Sequence, residues 1–153
     1  MAYYKKVLQP GETVKCVGRL HWFIYTHAIV LLMLALIVPW LIASSTGELG
    51  NVALIVLFIF LVLAFIAFVQ SWFLQITTEI VVTDKRVIHK VGWIARRTEE
   101  INITKVETVD VIQGVAGRVF GFGAVLIKGV GGSWEPLLYI ASPLLLRNAI
   151  VVG

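Results

Sequence analysis

Residues 52–69 run without one charged or amide side chain, and Phe58, Phe60, Phe65 and Phe68 are scattered around every face of the helix this run would form. A helix apolar all round has no stripe to turn toward water, and eighteen such residues reach the length at which a membrane span is the preferred reading. The pattern therefore predicts a span over residues 51–74, with Gln70, Ser71 and Trp72 as its interfacial collar. A second apolar run covers residues 21–42, with Trp22 and Tyr25 at one end and Trp40 at the other, a separation that matches the hydrocarbon thickness at about 1.5 Å per residue. Pro39 is expected in the last turn, where a missing hydrogen bond costs little. The linker, residues 43–50, is short and polar with Gly47 and Gly50, so the two spans form an antiparallel hairpin.

After Leu74 the apolar period changes from helical to alternating. Ile76, Thr78, Ile80 and Val82 alternate with Thr77, Glu79, Val81 and Thr83, a β-branched run closed by the turn signal Asp84-Lys85. The return strand is predicted over residues 86–91, with a break at Gly92 and further strand over 93–97 and 98–103. Strands over 108–113, 124–128 and 134–140 follow, with residues 114–122 a loop or short helix and Pro136 marking an edge or bulge. Ser142-Pro143 before LLLRNAIVV reads as an N-cap and first helical residue. Short strands closed by one capped helix predict a small, bent sheet or barrel plugged at one end.

Composition agrees with this division: of 153 residues, 59% are hydrophobic and 14% charged, far more apolar than a soluble domain of this length. The charges lie almost entirely outside residues 20–74, giving a basic leader (1–20), a hairpin (21–74) and a module (75–153). Lys5, Lys6, Lys15 and Arg19 precede the hairpin and Lys85, Arg86 and Lys90 follow it, whereas its loop carries only Glu48. The positive-inside rule then puts both termini in the cytoplasm, in a multi-pass protein of the cytoplasmic membrane, and accounts for the net charge of +4 without nucleic acid. The leader is too long, and the first apolar run too near full span length, for a cleaved signal peptide. The single Cys16 makes no internal disulfide.

No active site is legible, and no enzyme activity, metal or cofactor is expected. Gly121-Phe122-Gly123 lacks a third glycine at dinucleotide spacing, there is no phosphate-loop Gly-Lys-Ser/Thr, and His21 and His27 fall on different helix faces. His27 lies close enough to the basic end to be a neutral interfacial histidine. Glu99, Glu100, Glu107 and Asp110 stand among Arg96, Arg97 and Lys105 and read as surface pairing. Asn102-Ile103-Thr104 is a chance sequon. Two features remain as candidates. Lys85, Arg86, Lys90, Arg96 and Arg97 either attract anionic headgroups, at about 1 kcal/mol each near the surface, or serve topology and solubility. Gly117, Gly121 and Gly123 serve tight backbone turns, or cradle an anion with Arg118.

The stretch from ITTEIVVTDKRV to AVLIKGVGG resembles the bacterial pleckstrin-homology-like family of membrane-flanked domains. The resemblance rests on Thr83-Asp84-Lys85-Arg86 with Gly92, on residues 101–111, and on GRVFGFG from Gly117 to Gly123. It implies a two-span helical hairpin followed by a small, mainly β pleckstrin-homology-like domain: a seven-stranded bent sheet with a C-terminal capping helix, short here. It also implies a binding or assembly role without established chemistry. Three function classes follow: a membrane-anchored interaction module meeting copies of itself or another membrane protein, a sensor of anionic lipid headgroups, and an accessory subunit of a transporter or enzyme complex.

Overall fold

The computed structural model describes residues 8–46, 50–92, 97–130, 132–133 and 136–151. They fall into two units, one of residues Met1–His21 with Leu74–Gly153 and the other of Trp22–Phe73.

In the second unit a 3-10 turn, Trp22–Tyr25, leads into helix α1 (Thr26–Thr46), and helix α2 begins at Asn51 and runs to Thr77. Both are long and apolar enough to cross a membrane. Both overrun their expected ends. Ala43 and Ser44 hold no helix-stopping signal, and the Ser44 and Ser45 hydroxyls donate to the Leu41 and Ile42 carbonyls at 2.8 Å, so α1 continues past residue 42. Pro39 is consequently interior rather than terminal, and it withholds the N–H that the Ala35 carbonyl would accept. Besides Pro39, the residues α1 and α2 bury are alanines: Ala28, Ala35, Ala53 and Ala64 are covered, while Phe58 and Phe65 are each 68% exposed. Small residues let helix backbones approach closely in an apolar medium. Tyr25 and Phe68 meet at 5.4 Å between ring centroids, and the Ser71 hydroxyl donates to the Ile24 carbonyl at 3.0 Å.

The first unit is built from both sides of that hairpin. Residues 14–18, expected as part of a leader, form strand β1 (Val14–Gly18), which pairs antiparallel with β2 (Glu79–Thr83) through Val14–Thr83, Cys16–Val82, Val17–Val81 and Gly18–Ile80. The apolar positions of VKCVG are too few to announce a strand; what selects it is the open edge of β2, which needs a hydrogen-bonding partner. Strand β2 begins at Glu79, not Ile76, because α2 continues and the Thr78 amide closes its last turn on the Leu74 carbonyl at 3.1 Å. Strands β3 (Arg86–Val91) and β4 (Arg97–Asn102) complete a four-stranded antiparallel sheet ordered β1-β2-β3-β4. Of the strand expected over 93–97, residues 93–96 lie outside the described residues.

A 3-10 turn, Ile103–Lys105, leads to the second sheet: β5 (Val106–Ile112), the short helix α3 (Val115–Phe120), β6 (Phe122–Gly129), β7 (Gly132–Ser133) and β8 (Leu137–Ala141). Strand β6 pairs with β5 along one edge and with β7 and β8 along the other, all antiparallel. The described residues thus make eight strands in two sheets rather than the seven the resemblance implies: β1 and the two-residue β7 are additions, and the stretches expected as two strands over 93–97 and 98–103 contribute the single described strand β4. The segment after β1 joins the sheets: the Ala141 amide donates to the Arg19 carbonyl at 2.9 Å and the His21 amide to the Tyr139 carbonyl at 2.7 Å.

Helix α4 (Pro143–Val151) plugs the module. Its Leu146 and Ile150 join Ile80, Val82 and Val87 of the first sheet and Val109, Val125, Ile127, Leu137 and Ile140 of the second in one core; each fully buried aliphatic side chain of this kind contributes about 1.5–3 kcal/mol. Ser142 precedes the helix as expected, but at φ 54 rather than in the extended backbone usual for a cap; its carbonyl accepts from the Leu145 amide at 3.0 Å.

Candidate functional site

The β2–β3 turn, which carries the first of the candidate cations, is organised by a carboxylate from far upstream. Thr83, wholly buried, donates its hydroxyl to Glu12 Oε1 at 2.7 Å and accepts the Arg86 amide at 3.0 Å. Arg86 grips both oxygens of Glu12, Nε to Oε1 at 3.0 Å and Nη2 to Oε2 at 2.9 Å, and reaches Glu100 Oε2 with Nη1 at 2.7 Å. The Gln9 amide adds a bond to Glu12 Oε2 at 2.9 Å, and the Thr13 amide donates to Asp84 Oδ1 at 3.0 Å. The Glu12 side chain is fully withdrawn from solvent. The hydrogen bonds from Arg86 outweigh burial and hold its carboxyl down at about 2; in return Glu12 raises the Arg86 guanidinium above its already high value.

This geometry separates the five basic candidates. Arg86 is spent inside the module on Glu12 and Glu100. Lys85, next to it, is exposed, and its ammonium has no partner among the described residues. Lys90 is half-buried in β3, and Arg97 pairs with Glu99 at 2.6 Å. Arg96 lies outside the described residues. Lys85 and Arg86 share a pocket of about 400 Å³ with Gln9, Glu100, Asn102 and Lys105. Lys105 was not singled out from the sequence. The signal lay in Asn102-Ile103-Thr104: the Asn102 side-chain oxygen accepts the Thr104 amide at 3.0 Å and the Thr104 hydroxyl at 2.9 Å, an Asx turn that caps the 3-10 turn ending on Lys105.

The three glycines meet separate backbone demands. Gly121 ends α3 in the left-handed region, φ 77, with its amide bonded to the Gly117 carbonyl. At Gly117 a Cβ would lie 2.5 Å from the Phe122 carbonyl oxygen, and at Gly123 one would lie 2.9 Å from that of Ile112. Gln113 occupies the space between, its Nε2 donating to the Phe122 carbonyl at 2.9 Å and more loosely to that of Gly117 at 3.3 Å. Arg118 is exposed on α3 and lines a separate groove of about 800 Å³ with Val111, Gln113, Ser142 and Leu145.

Other candidates for chemistry are absorbed by packing. His21 stacks on Phe122 with ring centroids 5.3 Å apart. Cys16 is a partly buried neighbour of the core whose thiol burial pushes up, away from reactivity. Among the described residues no three His, Cys, Asp or Glu side chains are grouped to hold a metal ion.

Two antiparallel four-stranded sheets around one core, closed by a C-terminal helix, define a pleckstrin-homology-like sandwich. Residues 17–148 match the family model described as Bacterial PH domain, and the chain belongs to that family. The match begins at Val17, near the end of β1, and runs through both apolar helices into α4. Comparison with curated proteins and with solved structures gives no match.

Proposed function

We propose that this protein is a membrane-anchored, non-catalytic interaction module, whose two apolar helices cross the cytoplasmic membrane and whose pleckstrin-homology-like domain meets partners at the cytoplasmic surface. The observation that carries this reading is the outer surface of α1 and α2. Leu36, Trp40, Phe58 and Phe65 are each more than 60% exposed, a surface that belongs in lipid and not in water. The sheet adds a topological argument. Strands β1 and β2 flank the helical pair and are hydrogen-bonded neighbours, so they must lie on one side of any membrane the intervening segment crosses; two crossings meet that condition and one does not. The basic residues outside the hairpin support the cytoplasm as that side.

Partners confined to the same membrane gain effective concentration, so weak contacts become occupied. The reading therefore favours membrane-associated partners, sister copies or another membrane protein. The Lys85 and Lys105 pocket supports a secondary attraction to anionic headgroups.

The test is site-directed labelling in intact cells, in a Cys16→Ser chain because the native thiol is too covered to report a side. A cysteine at Ser45 is labelled by an impermeant maleimide from outside, and one at Glu107 only after permeabilisation. The opposite polarity, or equal labelling of both, refutes the topology. Extraction in mild detergent then reads the assembly: co-purifying copies or membrane partners support the module reading, and a bare monomer refutes it.

A further inference from the structure

Helix α3 is the reverse of an ordinary surface helix. Of its six residues only Gly117 is buried, and apart from Arg118 the exposed ones are apolar, with Val115 at 85%, Val119 at 74% and Phe120 at 50% exposure. Ile112, at the end of β5, is 59% exposed, and across the groove that Arg118 lines stand Leu144 and Leu145, at 55% and 66%. Large apolar side chains gathered in this way on a small module mark a surface that something covers.

The charges say what covers it. Among the described residues no carboxylate lines the groove. Its rim carries Arg118, and Arg147 lies one helical turn beyond Leu144 on α4; neither guanidinium has a partner among the described residues. A second copy docked on this face would add two more arginines to a groove whose described lining offers no carboxylate to neutralise them. An apolar surface rimmed by unpaired cations matches instead the boundary between acyl chains and anionic phosphates, where apolar side chains dip below the headgroups and arginines reach up to them.

We propose that Ile112, α3 and the first turn of α4 form a second membrane contact, a monotopic face that inserts Val115, Val119, Phe120, Leu144 and Leu145 into the headgroup region of an anionic bilayer, with Arg118 and Arg147 on its phosphates. This rests on the membrane anchoring proposed above and extends it: the module is held to lipid by its own surface as well as by its tether. The contact needs no headgroup pocket and is separate from Lys85 and Lys105. Its lipid selectivity is for charge and packing, not for one headgroup.

The experiment places an environment-sensitive fluorophore on single cysteines at residues 119, 145, 107 and 58 of the Cys16→Ser full-length chain, reconstituted in vesicles of mixed zwitterionic and anionic phospholipid. Spin-labelled lipids with the nitroxide near the headgroup are expected to quench labels at 119 and 145, and iodide in the water to reach them several-fold less than the label at 107. Exchanging Arg118 and Arg147 together for Glu is expected to restore iodide access at 119 in these vesicles. Iodide access at 119 and 145 equal to that at 107 overturns the proposal, and so does protection from iodide without lipid quenching, which marks a protein partner. The label at 58 separates the two readings: quenching there by deep nitroxides but none at 119 or 145 sinks this inference alone, whereas no quenching at 58 sinks the anchoring on which it rests.

Discussion

Glu12 and Arg86, separated by 74 positions in sequence, share two hydrogen bonds across the β2–β3 turn, and through them the start of the described chain is fastened to the sheet that follows the apolar helices. Breaking one side of such a pair strands the other as a covered charge, which costs about 3–5 kcal/mol. Arg86→Met is therefore expected to destabilise the protein strongly, and Glu12→Gln less, since the amide keeps part of the hydrogen bonding. Replacing both together is expected to cost less than the sum of the single changes. Thermal unfolding in mild detergent, arranged as a double-mutant cycle, checks it; additive losses would show that the pair is not coupled.

The same pair fixes an acid limit. The folded-state value of the Glu12 carboxyl, about 2, lies below its ordinary 4.5. Its contribution is therefore complete above pH 4.5 and is lost as pH falls from there toward 2. Stability measured between pH 6 and 3 should fall more steeply in the native protein than in Glu12→Gln. Parallel curves for the two proteins would remove Glu12 from the acid response.

Gly121 and Gly117 answer to different substitutions. At Gly121 the backbone is left-handed with open space around it, so Gly121→Asn is expected to be mild and Gly121→Val to cost on the order of 1–2 kcal/mol. At Gly117 even Ala is expected to be harmful, because the new methyl meets the Phe122 backbone oxygen, which cannot swing aside. Resistance to limited proteolysis ranks the three variants; Gly117→Ala behaving like native protein would argue against the close approach.

A fragment of residues 76–153 is expected to stay unfolded or to aggregate, since it exposes the edge of β2 and lacks Glu12, Cys16 and Leu20. Joining residues 8–21 to residues 75–153 through a flexible linker is expected to restore a folded module. Dispersed amide signals in the linked protein and collapsed ones in the fragment are the outcome to look for; a well-folded fragment would make β1 dispensable.

The sequence made the elements with strong periodicity legible and left out the one whose identity is decided by its neighbour. The uninterrupted apolar run of residues 52–69, and the β-branched run before Asp84, each carry their own signal. Val14–Gly18 carries almost none; its strand exists because β2 needs a partner on that edge, a demand visible only once the fold has brought residues 14 and 83 together. The basic candidates failed to sort for a related reason. Lys85 and Arg86 are adjacent and alike in charge, yet Arg86 turns inward to a carboxylate from far upstream while Lys85 faces water. Spacing along the chain does not encode which cation finds an upstream partner. In the glycine segment, too, the string of three glycines conceals that Gly121 needs a positive φ while Gly117 and Gly123 need room.

The split origin of the first sheet has a consequence for biosynthesis. Val14 pairs with Thr83, so at a ribosomal pace of about 5–20 residues per second β1 waits several seconds before its partner exists. Throughout that wait it is an unpaired edge, and Glu12 is without Arg86. On the anchoring proposed above, insertion of both intervening helices returns β2 to the side on which β1 is waiting, and insertion of one alone does not. A nascent chain with one helix left uninserted would have its two halves divided by the bilayer, with a raw strand edge on each side for proteases and chaperones to find. On that anchoring, completion of the sheet would act as a check on membrane insertion, made by the protein's own first strand.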